Sequence, residues 1–310
     1  MLTYHNPITD ENIKVEGVIA RKVQNGYGVK LKPASGFIPE NPEKKEDKET
    51  IKNDAPGKPI LRASTAISVF ILFLAGQIIA SIVITVFETI KYLAGGGAIN
   101  QKNAFQGLIS GIMPEIVLVS ALGGAFALAA GANVRKSLRD NSLFGAAWVT
   151  GKPNAMFTSV FWGAGAALIY IIFSSFSVLL FSFESGQKGG LLTQVAAQSG
   201  AGQYIVIIVA LFIAPLIEEL LFRGIMIGGL NRSFGIWWGV IISNLLFITL
   251  HYSEAIYFWP AFIGIGLLSA LATWKRLTQK AIGPAVAVHF GYNLIIVGLA
   301  LISKITGSGV

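Results

Sequence analysis

The sequence predicts an all-α fold: a polytopic transmembrane bundle of about seven or eight helices, preceded by a small polar N-terminal tail. Three observations predict it. Hydrophobic residues make up 53% of the 310 residues and charged residues only 13%, about half the charged share that a soluble surface carries. Apolar runs near the roughly 20 residues needed to cross a bilayer recur from residue 63 onward. Basic residues collect in the short segments between those runs, where the positive-inside rule places them.

Residues 1–62 form a separate polar region, holding 11 of the 24 basic and 9 of the 16 acidic residues. Within it, Ile13 to Lys32 alternates apolar and polar residues around Asn25-Gly26, a hairpin turn signal. From Pro39 to Pro59 the chain has almost nothing to bury and reads as a disordered linker, with an interaction tail as the alternative. The membrane domain is expected over 63–310. Its helices are expected near 63–90, 106–132, 156–183, 204–230, 234–251, 257–274 and 282–303. Ala94-Gly95-Gly96-Gly97 suits a loop, and Gly163-Ala164-Gly165-Ala166 suits close helix packing.

With seven spans, a cytoplasmic N-terminus puts Arg135, Lys136, Arg139, Lys152, Arg232, Lys275, Arg276 and Lys280 inside, and Lys91, Lys102 and Lys188 outside. A multi-pass protein of the plasma membrane is expected. The net charge of +8 does not point to nucleic acid, because the cations lie in loops and not on one face with aromatic partners. The absence of cysteine excludes disulfides, thiolate metal sites and a cysteine nucleophile.

Charged groups cost several kcal/mol in hydrocarbon, so each intramembrane one is a candidate functional residue. Beyond Arg62 the chain has seven carboxylates, Glu88, Glu115, Asp140, Glu184, Glu218, Glu219 and Glu254. Most can sit at helix ends or in loops, but Glu218-Glu219 follows the almost wholly apolar run from Tyr204 to Ile217 and leads into Leu220-Leu221-Phe222. Arg223 stands four residues after Glu219, on the same helical face, where the two can pair. That leaves Glu218 without an intrahelical cation and free to take a proton from water. An interfacial ion pair at a helix end is the alternative.

Two of the three histidines, His251 and His289, also fall at the end of one apolar helix and inside another. Asn293 follows His289 by four residues and shares its face, and the two together offer the donors of an oxyanion hole. Phe247, four residues before His251, reads as a ring that supports and orients that histidine. Glu115, directly after Pro114, is expected to cap its helix or line a polar cavity.

Glu218-Glu219-Leu-Leu-Phe-Arg223, Phe247-Ile-Thr-Leu-His251 and His289-Phe-Gly-Tyr-Asn293 reproduce in order the motifs EExxxR, FxxxH and HxxxN. Over about residues 204–300 the chain thus resembles the CAAX proteases and bacteriocin-processing enzymes, the CPBP or Abi family. The resemblance implies an intramembrane endopeptidase acting on a membrane-associated peptide or protein. It implies that Glu218 and His251 activate a water, that His289 and Asn293 stabilise the oxyanion, and that Glu219 and Arg223 support the site. Members are commonly called metalloproteases, which would make Glu218, His251 and His289 zinc ligands. The HExxH spacing is absent, and a metal-free glutamate mechanism fits as well, so no cofactor is expected. A non-catalytic scaffold or bacteriocin-immunity protein of the same fold is the second reading, and a proton-relaying transporter the third.

Overall fold

The computed structural model describes residues 2–6, 11–23, 26–32, 61–95, 113–130, 151–181, 195, 198–256 and 258–306. The expected linker at 39–59 lies outside them, as do the loop cations Lys102, Arg135, Lys136, Arg139 and Lys188. The chain divides into two compact units, Met1–Pro56 and Gly57–Val310.

The first unit carries three strands, β1 (Leu2–Asn6), β2 (Glu11–Val23) and β3 (Gly26–Lys32), in one antiparallel sheet ordered β1-β2-β3. Leu2 pairs with Val15 and Val23 with Gly26, and the β2–β3 register shifts between Ile19 and Arg21.

The second unit is helical, and its described residues contain seven helices of more than one turn. They are α1 (Ala63–Ala94), α2 (Met113–Ala130), α3 (Pro153–Leu180), α4 (Gly200–Phe234), α5 (Ile236–Leu250), α6 (Pro260–Gln279) and α7 (Gly283–Thr306). A single turn, Tyr252–Ala255, links α5 to α6. Each of the seven expected apolar segments overlaps one of these helices, with ends that differ by several residues. The ends of α3 and α6 follow from local chemistry. Proline opens both, supplying the fixed φ of a first helical turn. Gly235, at φ +87°, lets α4 stop and α5 begin in a single residue.

Helices α1, α3, α4 and α7 are long and apolar enough to cross a membrane by length and composition. Pro114–Ala127 and α5 are apolar but shorter; at 1.5 Å per residue the 15 residues of α5 fall short of a hydrocarbon core roughly 30 Å thick. Helix α1 turns Ile79, Ile82, Val83 and Phe87 outward, a face that lipid solvates at no cost and water would not. The helical unit is therefore an integral membrane bundle. Half of the most apolar stretch of α4 is buried and 56% of that of α7, against 11% for α1, so α4 and α7 are inner helices. They carry Glu218, Glu219, His289 and Asn293.

Candidate active site

Helix α4 is not a uniform α-helix. Two stretches, Val209–Ile213 and Leu220–Met226, are π-helical and flank a short α segment, Ala214–Glu219, that ends in the two glutamates. The Ala214 N–H donates to the Val209 carbonyl and the Ile227 N–H to that of Phe222, each five residues back. Pro215 accounts for the first bulge. A proline ring clashes with the carbonyl four residues earlier, and the wider π turn relieves that clash.

Glu219 and Arg223 are 0% and 1% exposed, and their side chains meet as the i,i+4 spacing predicts. Arg223 Nη1 donates to Glu219 Oε1 at 3.2 Å, and Nε stands 3.2 Å from Oε2. The same Oε1 accepts from His289 Nδ1 at 2.9 Å. Glu219 is thus the shared acceptor of a cation on its own helix and a histidine on α7. Arg223 Nη2 donates to the Ser269 carbonyl at 3.0 Å and to its hydroxyl at 2.9 Å. That hydroxyl in turn donates to Asn244 Oδ1, which also accepts from Thr273 at 3.0 Å. A buried polar chain therefore joins α4, α5 and α6 below the glutamates. The sequence reading missed Ser269, Asn244 and Thr273. The signal was Asn244 itself, an amide in the middle of Ile-Ile-Ser-Asn-Leu-Leu-Phe, which must find partners in an apolar setting.

Glu218 is placed differently. Its side chain keeps 22% of its surface exposed and stands 4.0 Å, Oε2 to Nε2, from His289. Oε2 is buried and has no hydrogen-bond partner among the described residues. The gap to His289 is longer than a hydrogen bond.

One ring nitrogen of each imidazole has a fixed hydrogen-bond partner. A carbonyl oxygen can only accept, so the 2.8 Å contact between His251 Nδ1 and the Phe247 carbonyl puts a proton on Nδ1 and leaves Nε2 with its lone pair. His251 ends α5, and its own N–H bonds to Ile248. Its ring folds back to cap the carbonyl that the helix end leaves free. By the same reasoning His289 Nδ1–H donates to Glu219, and its Nε2 faces Glu218.

Phe247 is fully buried among these groups. Its ring centroid lies 4.7 Å from that of His251, 6.0 Å from that of His289 and 4.4 Å from Arg223 Cζ. Helix α5 is too short to cross and α7 is long, yet one phenyl ring touches both imidazoles. Asn293, 8% exposed, donates from Nδ2 to the Ala210 carbonyl at 2.8 Å. Glu115 lies in the first turn of α2, with Oε2 buried and no hydrogen-bond partner among the described residues.

Among the described residues no three His, Asp or Glu side chains converge as a metal-ligand set.

Residues 200–295 match the family model described as Type II CAAX prenyl endopeptidase Rce1-like. No match to the chain is found among curated proteins or among solved structures. The matched segment runs from the start of α4 past Asn293 and contains all three motifs, so the part of the chain that builds this site is similar to the type II CAAX prenyl endopeptidase Rce1-like model.

Proposed function

We propose that the chain is a glutamate-type intramembrane endopeptidase that hydrolyses a peptide bond of a membrane-associated protein or peptide. The observation that carries this reading is Glu218 Oε2, a carboxylate oxygen without a hydrogen-bond partner among the described residues, beside a histidine that another carboxylate orients. Glu219 Oε2 also lacks a hydrogen bond, but the Arg223 guanidinium stands 3.2 Å from it and two donors hold Oε1, whereas Glu218 has no Lys or Arg ion pair among the described residues and is left ready for water.

In the proposed reaction Glu218 accepts a proton from water while the water oxygen bonds to the scissile carbonyl carbon. The carbonyl π electrons move onto oxygen. The lone pair on His251 Nε2 accepts the water's second hydrogen and orients the attack. His289, as an imidazolium, donates from Nε2 to the oxyanion, and Glu219 balances its charge through Nδ1 as the third group of a triad does. Glu218 then delivers its proton to the departing amine as the carbon–nitrogen bond breaks. Two carboxylates, Arg223 and a protonated His289 sum to zero charge, which suits a site away from water. No step uses a metal.

The basic residues of the connecting segments favour a cytoplasmic N-terminus. The test uses the purified full chain in lipid vesicles, with a farnesylated Cys-aliphatic-aliphatic-X peptide and unprenylated membrane-anchored peptides as probes. Replacing Glu218 with Gln is expected to lower cleavage by about 10²- to 10⁴-fold, the range for a lost general base. Cleavage at the wild-type rate in that variant would remove Glu218 from the mechanism. Activity is also expected to survive a strong chelator followed by metal-free dialysis, and its loss with recovery on zinc would overturn the metal-free assignment.

A further inference from the structure

We infer that Asn293 is a positioning residue, which supplies to α4 the hydrogen bond that Pro215 cannot make. In an α-helix the Ala210 carbonyl would accept from the N–H of residue 214, and in a π-helix from that of residue 215. The Ala214 N–H goes to Val209, and residue 215 is a proline with no N–H. Neither helical donor reaches Ala210. Its oxygen lies in a buried stretch of an inner membrane helix, where an unsatisfied carbonyl has no water to turn to. Asn293 Nδ2, from α7, donates to that oxygen at 2.8 Å.

The bond fixes α7 to α4 one turn before Ala214–Glu219, the segment that carries both glutamates. The next polar link between the two helices is His289 to Glu219, one turn earlier on α7. Asn293 and His289 thus pin the register of α7 against α4 at two successive turns, and the Glu218–His289 separation follows from that register. This inference rests on the proposed hydrolytic reading for its catalytic consequence, while the bond itself can be tested without it.

The discriminating variant is Pro215→Ala, which restores an N–H at position 215. Asn293→Ala is expected to lower the unfolding temperature and to lower kcat by about 10- to 100-fold, the cost of a misplaced catalytic group, with KM little changed. Asn293→Leu, which keeps the approximate volume and removes the donor, is expected to behave like Asn293→Ala. Adding Pro215→Ala to Asn293→Ala should recover both readouts, and it should raise the unfolding temperature more in that background than in the wild type. If Asn293 is instead a direct oxyanion donor, Pro215→Ala leaves kcat of Asn293→Ala depressed, and that result overturns the inference. Additive unfolding temperatures across the four proteins overturn it as well, even where no probe peptide is cleaved. An active Glu218→Gln enzyme with coupled unfolding temperatures would remove Glu218 from the proposed mechanism and leave the bond standing.

Discussion

Glu218 and Glu219 are adjacent in the chain and chemically opposed. Glu219 is buried with two donors on one oxygen, and Glu218 is partly open with a bare oxygen. Removing one partner of a buried charged network leaves the others uncompensated at a cost of about 3–5 kcal/mol. Glu219→Gln is therefore expected to lower the unfolding temperature sharply, and Glu218→Gln to leave it near the wild-type value while abolishing cleavage. Thermal unfolding of both in the same detergent checks this, and equal destabilisation would show that Glu218 is structural too. Arg223→Lys separates shape from charge at the same spot. An ammonium cannot hold Glu219 and the Ser269 carbonyl and hydroxyl together, so a loss of about 1–3 kcal/mol is expected for the stranded acceptors. The Glu219–Arg223 pair was legible in the sequence because four residues is one helical turn. The Glu219–His289 bond was not, because 70 residues separate its ends and only packing brings them together.

At the scale of the element, α4 is a membrane helix whose irregularities are each answered by a neighbour. Asn293 takes the Ala210 carbonyl, Ser243 Oγ donates to that of Phe222 at 2.8 Å, and Arg276 Nε to that of Arg223 at 3.3 Å. The three cases differ in what remains after a mutation. The Phe222 carbonyl still accepts from the Ile227 N–H, whereas the Ala210 carbonyl receives neither the Ala214 N–H nor one from Pro215. Ser243→Ala is accordingly expected to cost about 1 kcal/mol or less, and Asn293→Ala more. A larger loss for Ser243→Ala in thermal unfolding would mean that the second π stretch depends on its hydroxyl. Apolar periodicity shows that a helix exists over this segment, but it cannot show a change from i,i+4 to i,i+5 bonding, which adds no charge and no polar residue. Pro215 was the one visible sign. A proline inside an apolar run, three residues before a pair of glutamates, must disturb the backbone hydrogen bonds around it.

Across the whole molecule, the site exists only where α4, α5 and α7 meet, and the position of α7 is set from its other side by α3. Gly163 on α3 and Gly291 on α7 face each other's backbones. A Cβ added at Gly163 would lie 1.9 Å from the Val288 carbonyl oxygen, and one added at Gly291 would lie 2.1 Å from that of Val160. Neither obstacle is a side chain that can rotate away, so the helices must separate. The small-residue run around Gly163 was readable as a packing surface, but its partner was not, because Gly291 sits between His289 and Asn293 in a motif whose other positions draw attention to chemistry. Gly163→Ala and Gly291→Ala are each expected to cost about 1–3 kcal/mol, the range for overpacking. Because α7 carries His289, both should also lower kcat without touching a reacting atom. Once one methyl has opened the crossing, the second meets less resistance, so the double variant should be less damaged than the sum of the singles, as contacting residues usually are. Unfolding temperatures and kcat for the three variants test this together. Additive losses would mean that the helices yield locally and independently at the two glycines, and unchanged kcat would mean that α7 is held in place by α4 alone.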